Sequence, residues 1–168
     1  NLDSLEKIGF NAQCRTLLKL ANPMSVDYEY LRPTLRVSML KTLANNLSFH
    51  RGPIKLFEIG RIYLGQTKDL PEEREILAAI FRGPRTDEGW LGDNDEQGFF
   101  DAKGVVESLL RQLGLSGTFK AVSEQFFHPN RVGEILIGEI PVGIVGEVHP
   151  VVLDQFSSDG GITAYIEL

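Results

Sequence analysis

Residues 133–148 leave this chain little freedom. Two strand-like runs, Glu134-Ile135-Leu136-Ile137 and Val142-Gly143-Ile144-Val145, flank the turn-forming pair Gly138-Glu139. The connection is too short for a crossover, so the runs fold back on each other as an antiparallel hairpin. Further strand-like segments lie at 14–20, 54–64, 75–82, 118–123 and 163–168. Within 75–82 the run Ile76-Leu77-Ala78-Ala79-Ile80-Phe81 is continuously apolar. That suits a strand buried on both faces, with a short helix as the alternative. Gly60, inside 54–64, marks a bulge or a close backbone approach.

Helices are fewer. Residues 2–8 read as a helix end stopped by Gly9. Leu40, Leu43, Ala44 and Leu47 fall on one helical face, with Ser38 as the expected N-cap and Gly52-Pro53 as the close. Asp101 is expected to cap a helix running to about Leu113, with Val105, Val106, Leu109, Leu110 and Leu113 inward and Gly114 at its end. Pro150 opens a short helix to about Phe156. The sum is an α+β fold, a mainly antiparallel sheet flanked by helices. With 168 residues, 42% of them hydrophobic, the chain suits one domain over 1–168. It opens on Asn1 rather than Met, so a piece of a longer chain is expected.

Several function classes fall away. Cys14 is the lone cysteine, which leaves no internal disulfide and suits a reducing cytoplasm. His50, His128 and His149 show no metal-ligand spacing. The net charge of -6, with Lys and Arg scattered, argues against a surface built to grip nucleic acid. No apolar run is long enough to span a bilayer, so no membrane partner is expected. Neither a phosphate-binding G-x-x-x-x-G-K-[ST] loop nor a G-x-S-x-G elbow occurs. Residues 83–98 read as an acidic, Gly-containing surface loop. Trp90 inside it either staples the loop or meets a partner.

One ordered series of segments carries a resemblance. It comprises Leu20-Ala21-Asn22-Pro23-Met24-Ser25, Leu31-Arg32-Pro33-Thr34-Leu35, residues 40–47, and Leu56-Phe57-Glu58-Ile59-Gly60-Arg61-Ile62-Tyr63. Phe99-Phe100-Asp101-Ala102-Lys103-Gly104, His128-Pro129-Asn130-Arg131 and Gly146-Glu147-Val148-His149-Pro150 continue it. Together they resemble the catalytic-core-like module of the bacterial phenylalanyl-tRNA synthetase beta subunit. The resemblance implies the fold of class II aminoacyl-tRNA synthetases, an antiparallel sheet with flanking helices. It implies a heterotetramer of two alpha and two beta subunits. There the alpha subunit uses ATP and Mg²⁺ to activate phenylalanine and charge tRNA(Phe).

The resemblance also implies what a catalytic copy needs: an arginine on the second-motif strand for the α-phosphate, and a third-motif arginine for the γ-phosphate. Such cations stabilise charge on the transferring phosphoryl group. The strand Gly60-Arg61-Ile62-Tyr63 is similar to the second-motif strand. Leu64 stands where its arginine would follow, and a Leu cannot hold a phosphate. Arg61, three residues earlier, points to the opposite face and is free to pair with Glu58 or a partner chain. No third-motif candidate is found.

Glu147 and His149, two residues apart on a strand, share a face, but a turn-shaping role beside Pro150 is the expectation. No catalytic, cofactor or metal residue is therefore assigned in this module, and ATP and Mg²⁺ belong to the holoenzyme. The interface candidates are Phe10, in the first-motif region, Arg61 and Trp90. The resemblance implies the alpha subunit as partner, tRNA(Phe) through the holoenzyme, and the cytoplasm as location. The alternatives are a free-standing synthetase-like paralogue, disfavoured by Leu64, and a direct tRNA-binding module, disfavoured by the acidity.

Overall fold

A computed structural model describes residues 2–10, 17–25, 29–50, 52–66, 70–86, 95–156 and 160–168 of the chain. The elements run α1 (Leu2–Lys7), α2 (Arg36–Leu47), β1 (Ile54–Gln66), β2 (Pro71–Arg82), α3 (Phe99–Gln112), β3 (Gly117–Ala121), β4 (Phe127–Ile137), β5 (Ile140–Val148), α4 (Pro150–Leu153) and β6 (Thr163–Glu167). Six strands form one sheet in the order β1-β2-β6-β5-β4-β3. Every neighbouring pair is antiparallel. The β4–β5 hairpin turns at Gly138-Glu139, and Gly138 takes the positive φ of 63° that this turn requires.

The period of two along the strands sorts the core into two layers. Ala78 and Ile80 of β2 and Tyr165 of β6 face one side and join Leu5, Leu40, Leu43, Val152 and Leu153 from α1, α2 and α4, with Leu35 just before α2. Ala79 and Phe81 of β2 and Ala164 and Ile166 of β6 face the other and meet Ala102, Val106 and Leu110 of α3. Helices on both faces of its central strands explain why 76–81 reads as an unbroken apolar run: β2 is buried on both sides where it lies between β1 and β6.

Several local expectations need correction. Ser38 does not cap α2. That helix begins at Arg36, and Thr34 Oγ1 accepts from the Arg36 N–H at 3.2 Å, while Ser38 Oγ donates back to the Leu35 carbonyl. Asp101 is likewise not the N-cap of α3 but its third residue; it reaches back to accept from the Gly98 N–H at 2.9 Å. Half of a capping box is thus in place without a capping side chain. Val105 and Leu113 are exposed, so α3 offers the core a narrower stripe than its apolar periodicity implied.

Gly60 sits in regular register opposite Ile76, so it marks neither a bulge nor a close backbone approach: a Cβ there would meet the Arg32 guanidinium, the far end of a flexible side chain. The irregularity in β1 lies between Leu64 and Gln66. Residues 14–16 of the expected strand at 14–20 lie outside the described residues; residues 17–20 form no strand, and Lys19 makes only an isolated bridge to Tyr30. The loop at 83–98 is pinned at its ends by a Pro84–Glu96 bridge and by buried Gln97, whose Nε2 donates to the Arg82 carbonyl at 3.0 Å.

Candidate functional site

The face of the sheet that carries α1 and α2 opens into a cleft of about 560 Å³. Ile62 and Leu64 of β1 and Ile76 of β2 line it, with Phe10 just after α1 and Phe126 just before β4. Its charged lining among the described residues is Arg36, Arg74, Glu124 and Glu167. A cleft of this size suits a small ligand, so its charges decide what it can hold.

Arg36 is the most heavily engaged of these groups. Its Nε donates to Glu167 Oε2 at 2.8 Å, its Nη1 donates to Glu124 Oε1, and its Nη2 lies 3.4 Å from Glu124 Oε2. The guanidinium also lies 4.6 Å from the Phe126 ring centroid and 5.4 Å from that of Phe127. Burial opposes its charge, but Glu167 and Glu124 outweigh burial and raise its pKa above the usual arginine value. A cation in the first turn of a helix opposes the helix dipole. That misplaced charge is the one sequence signal that could have revealed this cluster, since only carboxylates from elsewhere in the fold make the position tolerable. Tyr165 lies beneath, its hydroxyl buried without a hydrogen-bond partner among the described residues. Burial, with the nearby charge of Glu167, pushes its pKa well above the usual tyrosine value.

Leu64 lies on the cleft side, opposite Glu72 of β2. Arg61 projects from the other face, as the strand period requires. It does not pair with Glu58, because residues three apart on a strand point opposite ways. Its partner is Glu73 across the ladder, at 3.2 Å, and Glu58 is taken by Arg32 at 2.5 Å. Arg74 is the exposed guanidinium of the cleft, held by Glu72 at 2.6 Å. Phe10 is half-buried against the core, and Trp90 lies outside the described residues.

Glu147 and His149 form no acid–base pair. Buried Glu147 accepts two bonds from Arg131 Nη1, at 2.9 and 2.8 Å, and one from the Phe99 N–H at 3.0 Å, which ties β4 and β5 to the start of α3. His149 caps α4 by accepting from the Val151 N–H at 3.2 Å. Its ring stacks on that of His128 with centroids 6.4 Å apart. Both segments thus have structural work that accounts for their residue types.

A phosphoryl-transfer pocket needs cations aimed at its ligand. Here Arg36 is saturated by two carboxylates, Leu64 is apolar, and Glu124 and Glu167 present negative charge. These residues do not fit a nucleotide triphosphate. No cluster of three or more His, Cys, Asp or Glu side chains stands ready for a metal ion among the described residues. No helix among them is long and apolar enough to cross a membrane.

The sheet with its flanking helices is that of the class II aminoacyl-tRNA synthetases. The chain superposes on the Desulfitobacterium hafniense pyrrolysyl tRNA synthetase PylSc with a TM-score of 0.69 over 99% of its length and 55% of that chain, at 13% identity. Residues 2–168 match the family described as the phenylalanyl tRNA synthetase beta chain CLM domain, and the chain belongs to that family. Among its relatives are phenylalanine–tRNA ligase beta subunits from three bacteria. That of Dehalococcoides mccartyi strain 195 is 37% identical over 83% of this chain and 17% of its own length. That of Syntrophus aciditrophicus is 38% identical over 84% and 18%, and that of Geobacter sulfurreducens 33% over 92% and 20%. The chain therefore spans a fifth or less of the length of these relatives.

Proposed function

We propose that this chain is a non-catalytic scaffold within a phenylalanine–tRNA ligase beta subunit. In this reading it assembles with the catalytic alpha subunit into a heterotetramer in the cytoplasm. The holoenzyme uses ATP and Mg²⁺ to charge tRNA(Phe) with phenylalanine, and tRNA is gripped by other parts of the assembly. The observation that carries the reading is Leu64 on the cleft side of the second-motif strand, beside an arginine already locked by Glu124 and Glu167. Phe10, at the cleft, and Arg61, on the outer side of β1, are the proposed contacts with the alpha subunit. The negative charge of the chain, -6, supports leaving tRNA to other parts.

The test uses the assembled ligase. Arg74→Ala in this module should leave ATP–pyrophosphate exchange per assembled complex unchanged, because no phosphate is gripped here. A fall of about tenfold or more in exchange, with assembly intact, would contradict the reading and favour an active synthetase-like site. A gel shift of tRNA by this chain alone, with a steep salt slope, would favour the tRNA-binding alternative.

A further inference from the structure

We draw no further inference here: the strongest candidate, the surface patch on β1 made by Phe57, 74% exposed, and Ile59, 58% exposed, beside the open outer edge of that strand, carries nothing because nothing in the structure shows what covers it.

Discussion

Arg36 shows how one side chain can close a site. Its guanidinium does not wait for a ligand; it neutralises Glu124 and Glu167 and lies against Phe126. Removing it leaves two partly buried carboxylates facing each other without a cation. Breaking a fully buried pair costs about 3–5 kcal/mol. Glu124 is 38% exposed, which discounts the figure, so Arg36→Met is expected to cost roughly 2–3 kcal/mol by urea denaturation. A change within about 0.5 kcal/mol would show that the cluster is decorative. The resemblance to the second-motif strand reaches Leu64, because it marks a single position where a charge is missing. Sequence reasoning does not reach Arg36, because Glu124 and Glu167 lie 88 and 131 residues away along the chain. The strand period alone puts Arg61 on the correct face, and the same period excludes the Glu58 pairing that sequence proximity suggests.

At the scale of elements, hydrophobic periodicity carries most of the reading. Gly138-Glu139 defines a hairpin, and the run 76–81 defines a doubly buried strand, because local pattern and packing agree there. α3 is less legible. Val105, Val106, Leu109, Leu110 and Leu113 share an apolar arc, but the sheet beneath is reached by Ala102, Val106 and Leu110. Leu110→Ala should therefore cost about 2–4 kcal/mol, and Leu113→Ala, at a 63% exposed position, less than about 0.5 kcal/mol. Equal losses in thermal or urea melts would restore the broader face.

The start of α3 makes a separate prediction in pH. Burial alone would raise the Asp101 pKa, but the Gly98 N–H and Arg85 outweigh it and hold the carboxyl below its usual range. Its folded pKa is thus lower than its unfolded one. The stabilisation is present above the unfolded value, near 3.8, and is lost as pH falls through the folded value. Wild type should lose stability relative to Asp101→Asn as pH drops below about 5. Parallel acid arms for the two proteins would contradict the capping role. Helix caps are easily misplaced from sequence because a short polar residue near a helix start can bond either forward or back. Which it does depends on where the backbone enters the helix.

The whole molecule keeps the architecture of a synthetase core while its cleft offers a nucleotide little to hold. Overall class is legible from strand count, short connections and ordered segments such as Leu56-Phe57-Glu58 and His128-Pro129-Asn130-Arg131. The open outer edge of β1 is not, because only the sheet order reveals which strand has no second neighbour. The central claim is that this chain does not bind the ligase's nucleotide. It is tested most directly by titrating ATP with Mg²⁺ into the purified chain in a calorimeter. The scaffold account predicts no saturable heat up to about 1 mM nucleotide. One-to-one binding in the micromolar range, abolished by Arg74→Ala, would contradict it.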